Sequence, residues 1–212
     1  AYSEIRGAGA FAWTDISTGS FRVLPISPDG LGTQLARLQP RELIVMQDQE
    51  SELRDIAGET QTALTPLARA AFDSTGAQTR LCAVMGVTTL DAFGQLSRPE
   101  VAAMGAVLEY LEITQKGKVP LLRPPMRETQ TDVMQIDAAT RRNLELTRAL
   151  SGGRAESLLA SVDRTLTAGG GRLLETRISS PSCDIDIIRD RLDAVDAISH
   201  DTGTFDQLLV IL

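Results

Sequence analysis

The chain is predicted to fold as an α/β half followed by an all-α half, on the basis of three observations. In the first half, β-forming runs alternate with segments whose apolar residues recur every three or four positions. From residue 135 onwards, only helical spacings and helix-capping residues recur. Between the halves, residues 117–134 contain three prolines and no sustained period. We therefore predict a mixed sheet with flanking helices at 1–116, a linker or extended cover strand at 117–134, and a helical domain at 135–212.

The N-terminal residues are predicted to form antiparallel strands. Runs of β-forming residues at 11–16 and 21–24 flank the good turn residues at 17–19, which is typical of a β-hairpin. Residues 1–5 are expected to supply a preceding strand, so that the chain begins inside a three-stranded meander.

An α/β layer is predicted to follow the meander. Leu31, Leu35 and Leu38 have helical spacing and precede Pro40, and the apolar run at 42–46 favours a buried strand. The next segments are predicted to be a short helix at 51–58 and a loop or edge strand at 60–65. A helix capped by Asp73 or Ser74 should follow, with Leu81, Val84 and Met85 facing inward. After a tight connection at 90–94, a well-formed helix is predicted at 98–115, beginning with a capping box of Ser97 and Glu100.

The second half opens with two adjacent arginines, Arg141 and Arg142, between Asp137 and Glu145. Such a pair can bind carboxylates or helix C-terminal carbonyls and so fix one element against another, or it can lie on a solvated surface. Helices are then predicted at 157–162, from Thr165 or Thr167 to about Ser179, from Asp184 with Ile185, Ile188, Leu192 and Val195 on one face, and as an uncapped apolar stub at 205–212.

Composition restricts the classes of function. The 212 residues are 42% hydrophobic and 23% charged, as in ordinary globular proteins, and no apolar run approaches the roughly 18 residues of a membrane span. The net charge of −7 argues against strong DNA binding by this chain alone. Cys82 and Cys183 are expected to be small buried residues of a reduced, cytoplasmic protein, and a single histidine, His200, excludes a multi-histidine zinc site.

We predict no catalytic, cofactor-binding or metal-binding residues. The chain has no Gly-x-x-x-x-Gly-Lys-Ser/Thr sequence for an ATP phosphate, and no nucleophile has a partner signature around His200. A two-metal nuclease would need Asp15, Glu42 and Asp91 to converge on metals spaced about 4 Å apart. Such a nuclease and a stand-alone helical adaptor stay open as alternatives.

Residues 137–145 read Asp-Ala-Ala-Thr-Arg-Arg-Asn-Leu-Glu, a pattern similar to the start of the core domain in the MutS family of bacterial DNA mismatch-repair proteins. Upstream, residues 14–21 and 90–94 resemble two segments of the MutS connector domain. The MutS pattern has one glycine where this chain has Gly169, Gly170 and Gly171, and the extra two are expected to loosen the helix start. The core likeness continues through Ser157-Leu158-Leu159, Asp163-x-Thr165-x-Thr167, Gly170-x-Arg172-x-Leu174, Pro181, Asp184 and Arg191-Leu192-Asp193-Ala194-Val195.

The resemblance implies that residues 1–116 form an RNase H-like connector domain and that residues 135–212 form the first part of an all-α core domain. It implies a non-enzymatic role: transmitting conformational change between DNA-binding and ATPase regions and offering surface to MutL. Mismatched DNA, ATP with Mg²⁺ and the homodimer would involve other parts of the full-length protein, so no cofactor is expected in this chain.

Three further expectations concern the linker and the helical half. Residues 117–134 should be cut first by trypsin, at Lys116, Lys118, Arg123 or Arg127. Arg172 and Arg177 are expected to pair with Glu175 or Asp163. The faces that later core helices would cover should be partly bare, and they carry Leu173, Leu174, Ile178, Ile188, Leu192, Val195 and residues 208–212.

Overall fold

The computed structural model describes residues 1–117, 119–201, 203–204 and 207. The chain forms two compact units, Ala1–Gln130 and Thr131–Leu212. The boundary between them lies inside the segment that the sequence predicts as a linker. Of the expected apolar stub at 205–212, all but Gln207 lies outside the described residues, as does the trypsin site Lys118.

The first unit begins with three antiparallel strands, which confirms the predicted meander. The strands are β1 (Tyr2–Ile5), β2 (Ala8–Asp15) and β3 (Ser20–Ile26), hydrogen-bonded in that order. The Asp15 carboxylate accepts a 2.9 Å hydrogen bond from the backbone N–H of Ser17 and so holds the hairpin turn.

A parallel pair of strands follows, separated by helices. The elements are α1 (Leu31–Leu38), β4 (Glu42–Met46), α2 (Glu50–Glu59) and β5 (Ala63–Leu67), and β4 and β5 form a separate two-stranded sheet. Parallel strands require a crossover, which α2 supplies. The segment predicted as a loop or an edge strand is therefore a strand from Ala63 onwards.

Helices α3 (Ser74–Met85) and α4 (Arg98–Thr114) complete the unit, with the caps that the sequence predicts. They approach so closely that a Cβ on Gly105 would lie 2.2 Å from the Cβ of Ala77. Leu81 is buried as expected, but Val84 is exposed, so its inward assignment is wrong. Val84 lies in the last turn of α3, beyond the contact between Ala77 and Gly105.

The core of the first unit has two layers, one on each face of the larger sheet. Ala12 and Val23 belong to the cluster that includes residues of α3 and α4, whereas Phe11 and Leu24 belong to the cluster with α1. This division follows from the alternation of side chains along a strand. A short strand β6 (Met126–Arg127) pairs in parallel with β3, so the sheet is mixed and flanked by helices, as predicted.

The described residues of the second unit form helices and connecting segments, with an isolated bridge between Val133 and Ser182. Its helices are α5 (Ala138–Asn143), α6 (Leu158–Val162), α7 (Ala168–Ser179) and α8 (Ile185–His200). Each begins after a residue whose side chain accepts a hydrogen bond from a first-turn N–H: Asp137, Ser157, Thr167 and Asp184. Across the described residues, none of the helices has the length and apolar character needed to span a membrane.

Candidate functional site

The three carboxylates of the nuclease alternative lie in separate local environments. Asp15 holds the β2–β3 turn, and Asp91 is exposed in a single 3-10 turn, Leu90–Phe93. The Glu42 carboxylate accepts a hydrogen bond from the Tyr110 hydroxyl, and this bond raises the pKa of Tyr110. Within the described ranges, no three His, Cys, Asp or Glu residues are grouped so that they could hold a metal ion.

The cysteines and the histidine have separate local surroundings. Cys82 is half-buried in α3, but Cys183 is exposed, so the expectation of two buried thiols is wrong for Cys183. Cys183 lies in the connection before α8, where its backbone N–H is bound to the Asp132 carbonyl at 3.1 Å. His200 is exposed at the end of α8, with Asp196 3.3 Å from its ring nitrogen.

The segment at 119–130, which we call the strap, runs beside β3 in the first unit. Its backbone is bound at three places: the Arg123 N–H donates to the Gly19 carbonyl at 2.7 Å, β6 pairs with β3, and the Glu128 N–H donates to the Val23 carbonyl at 2.8 Å. Most of the segment predicted as a linker or cover strand is therefore attached to the first unit, and two of its residues form the strand β6.

Glu128, a residue of the strap, is the centre of an ion-pair cluster between the strap and the rest of the first unit. Its carboxylate accepts from Nη1 of Arg22 at 2.5 Å and from Nη2 of Arg37 at 3.0 Å. The Arg37 side chain is only 3% exposed; its Nε donates to Oε1 of Gln34 at 2.7 Å, and its guanidinium lies 5.3 Å from the ring centroid of Trp13. A buried guanidinium needs such partners because desolvation penalises an unpaired charge.

A second ion pair attaches the strap to the start of α4. Glu100 is fully buried and accepts hydrogen bonds from the backbone and hydroxyl of Ser97, the predicted capping box. The same carboxylate accepts from Nε of Arg127 at 2.6 Å. Strap docking and the start of α4 thus share one buried carboxylate.

In the second unit, Arg141 joins α5 to the end of α7. Its Nη1 donates to the carbonyl of Ser179, the last residue of α7, at 2.6 Å, and its Nε donates to the Ile136 carbonyl at 2.9 Å. This confirms, for Arg141, the predicted binding of a helix C-terminal carbonyl. Arg142 is exposed and matches the solvated alternative.

A different arginine from those predicted binds the acidic residues near α7. Arg154 lies 3.2 Å from Glu175 and 3.7 Å from Asp163. The expected partners, Arg172 and Arg177, belong to α7 itself, and both are exposed. Arg154, in the connection before α6, is the arginine that reaches both carboxylates, so that assignment is corrected.

Helix α8 presents an uncovered apolar face. Ile185, Ile188, Leu192 and Val195 follow one another at spacings of three and four, and all four are exposed, Leu192 by 62%. No residue of this 16-residue helix is buried. In proteins, most helix stability comes from packing of an apolar face, so covering this face is expected to stabilise α8.

The geometry defines a protein with an α/β domain, a helical domain and internal docking contacts, and its described residues contain no metal-ligand cluster. Comparison with known families identifies these parts. The model of MutS domain II matches residues 2–123, and that of MutS domain III matches residues 139–212. The chain therefore belongs to the MutS family of DNA mismatch repair proteins.

Individual relatives agree with the family assignment. The DNA mismatch repair protein MutS of Roseobacter denitrificans is 61% identical over 92% of this chain, that of Paracoccus denitrificans is 58% identical over 92%, and that of a Ruegeria species is 55% identical over 100%. The chain spans only 22% to 24% of the length of these proteins.

The Glu128 cluster was missed by reasoning from sequence. Arg22 and Arg37 are 106 and 91 positions away from Glu128 along the chain, so no local spacing connects them. The one available signal was the departure of Arg37 from the apolar pattern of α1.

Proposed function

We propose that this chain is a non-catalytic module of a longer MutS protein, transmitting conformational change between DNA-binding and ATPase regions and offering surface to MutL. The observation that carries the proposal is the match of the two units to MutS domains II and III, in a chain that spans under a quarter of its relatives' length. Two structural features support it: the strap attached to the first unit, and the uncovered face of α8.

The proposal also assigns a fold label and a division of labour. The mixed sheet with helices on both faces fits an RNase H-like connector domain, and the second unit fits the beginning of a core domain. Binding of mismatched DNA, binding of ATP with Mg²⁺ and homodimerisation are assigned to other parts of the longer protein. Because that protein would act on chromosomal DNA, the proposed location is the cytoplasm.

Binding to purified MutL tests the proposed docking role. The 212-residue chain, at tens of micromolar, should be retained by immobilised MutL but not by an immobilised protein of similar charge. Retention should survive at about 150 mM salt, where exposed charge contacts weaken, if the contact includes apolar surface. Equal retention on both proteins, or no retention on MutL, would contradict the docking role.

Assays for hydrolysis test the non-catalytic part of the proposal. With Mg²⁺ or Mn²⁺ present, the chain should release neither phosphate from ATP nor fragments from DNA, because Asp15, Glu42 and Asp91 are not brought together. Nuclease activity that is lost in Asp15→Ala, and kept in a variant such as Asp29→Ala, would replace this proposal with the metal-dependent nuclease.

A further inference from the structure

We propose that the strap, residues 119–130, is a releasable latch that sets the length of free chain between the two units. Its docked state depends on Glu128 binding Arg22 and Arg37. The inference goes beyond the proposed function, because it rests on contacts within the first unit and requires neither MutL nor DNA.

Apolar burial holds only part of the strap. Leu122 and Pro125 are buried and Val119 packs partly buried against the core of the first unit, but Leu121 is 94% exposed and Met126 is also exposed. The backbone ladder with β3 is only two residues long. The ion pairs of Glu128 and the pair between Arg127 and Glu100 therefore hold the part of the strap that lacks apolar cover.

The ion pairs also make docking cooperative. Glu128 bridges two arginines, and one of them, Arg37, is buried against Trp13 and Gln34. Moving Glu128 away removes the carboxylate partner of a buried cation. A partly lifted strap is therefore higher in free energy than the docked strap. It is also higher in free energy than a released strap in which Arg37 has moved to another partner or to water. Two alternative states are the expected result.

Release would change the tether between the units considerably. With the strap docked, the first unit extends to Gln130 and the second begins at Thr131. A released segment of about 12 residues can span up to about 40 Å, given 3.3–3.6 Å per extended residue. The change withdraws Leu122 and the partly buried Val119 of the strap from the core of the first unit, and no other residue of that core belongs to the strap.

The direct test compares Glu128→Gln with Glu50→Gln in the same chain. Gln keeps the shape of Glu128 and removes its charge, whereas Glu50 forms an exposed pair with Arg54 and serves as the control. Trp13 is the only tryptophan, so its fluorescence reports on Arg37 directly. In Glu128→Gln we expect altered Trp13 emission, about 10-fold faster hydrogen exchange of the strap amides and faster trypsin cleavage after Arg127, since exchange and cleavage follow the population of the open state.

Pulsed electron paramagnetic resonance measures the tether itself. Spin labels on Cys183 and on Ser17→Cys, in a Cys82→Ser background, place one label in each unit. The distance distribution should be broader in Glu128→Gln than in the parent and unchanged in Glu50→Gln. Arg22→Gln removes the more exposed partner of Glu128 and should produce the same changes at smaller amplitude.

The outcomes separate a latch from a merely structural pair. Faster exchange and cleavage confined to 119–130, with the rest of the first unit unchanged, would support the latch. Faster exchange throughout Ala1–Gln130 would show that Glu128 stabilises the whole unit, and the proposal would fail. It would also fail if Glu128→Gln and Arg22→Gln left Trp13 emission and the hydrogen exchange of the strap amides unaltered. If Glu128→Gln does not fold, Arg22→Gln alone decides between these results.

Discussion

Single side chains close the ends of helices in the second unit, and Arg141 illustrates how. Its guanidinium binds the Ser179 carbonyl at the end of α7 and the Ile136 carbonyl before α5. Carbonyls in the last turn of a helix have no intrahelical donor, so a buried cation there satisfies groups that would otherwise lose hydrogen bonds. The planar guanidinium can reach two carbonyls at once, which a lysine ammonium cannot do in the same geometry.

Arg141→Lys is therefore expected to lower the free energy of unfolding of the second unit by about 1–3 kcal/mol, the usual cost of leaving a buried polar group unsatisfied. Arg142→Lys, at the exposed neighbouring position, should change it by less than about 0.5 kcal/mol. Denaturant unfolding followed by far-ultraviolet circular dichroism measures both variants. Equal effects of the two substitutions would mean that Arg141 is not a cap.

Two hydrogen-bonded aspartates, one capping α5 and one in the connection after α6, give the helical unit an acid-side pH dependence. The Thr140 hydroxyl, and then its backbone N–H, lower the pKa of Asp137, and the same groups of Thr165 lower the pKa of Asp163. A lowered folded-state pKa means that the stabilisation is complete above the unfolded value of about 3.9 and is lost as the pH falls through the folded value.

Helicity should consequently fall as the pH is lowered below about 4, the unfolded pKa of aspartate. Asp137→Asn keeps a capping side chain but does not titrate, so it should remove part of this pH dependence without loss of helicity at pH 7. Circular dichroism across pH 2–7 is the measurement. An identical pH profile in Asp137→Asn would rule out a contribution from this cap.

At the scale of elements, capping and periodicity predicted most of the helices and strands. Asp73, Ser97, Thr167 and Asp184 cap the helices that the sequence assigns to them. Those signals come from neighbouring residues, whereas the contacts that attach the strap join residues far apart in the sequence. The pairing of the strap with β3, and of Glu128 with Arg37, depends on a chain reversal that no short window of sequence contains. The separation of Asp15, Glu42 and Asp91, and the pairing of Arg154 with Glu175, likewise depend on contacts between residues far apart in the sequence.

The glycines at the start of α7 have different surroundings. A Cβ on Gly169 would have only the Thr167 hydroxyl nearby, at 4.0 Å, whereas one on Gly170 would lie 3.2 Å from that hydroxyl and 3.4 Å from the Cβ of Thr165. Gly169→Ala should raise the free energy of unfolding by about 0.4–1 kcal/mol, because alanine restricts the unfolded chain.

Gly170→Ala is the matched control for that substitution, and it should gain less or lose stability because its Cβ crowds the cap. Thermal unfolding of the two variants side by side compares them. A larger gain from Gly170→Ala than from Gly169→Ala would contradict the packing described for this cap.

At the scale of the whole molecule, charge sets the interaction with DNA. The net charge of −7 opposes non-specific binding, which depends on lysine and arginine neutralising phosphates. The chain alone should bind a mismatched duplex weakly and with steep salt dependence. Fluorescence anisotropy at about 150 mM salt measures this, and sub-micromolar affinity at that salt would place a DNA-binding surface within this chain.

The uncovered face of α8 is the whole-molecule feature that most directly separates a module of a larger protein from a self-sufficient adaptor. Contiguous apolar patches beyond a few hundred Å² are rare on monomeric proteins. A 16-residue helix without a buried residue needs cover, and in isolation a second copy of the chain is the available source.

Sedimentation of the 22.8 kDa chain at tens of micromolar tests that account most directly. We predict species larger than the monomer that dissociate on dilution, with a shift to monomer in Leu192→Gln. Ile113→Gln, which replaces a side chain that is equally exposed at 61% on α4, should leave the association unchanged. A monomer at every concentration, with the amides of α8 protected from hydrogen exchange, would contradict the account and show the helical unit to be a complete domain.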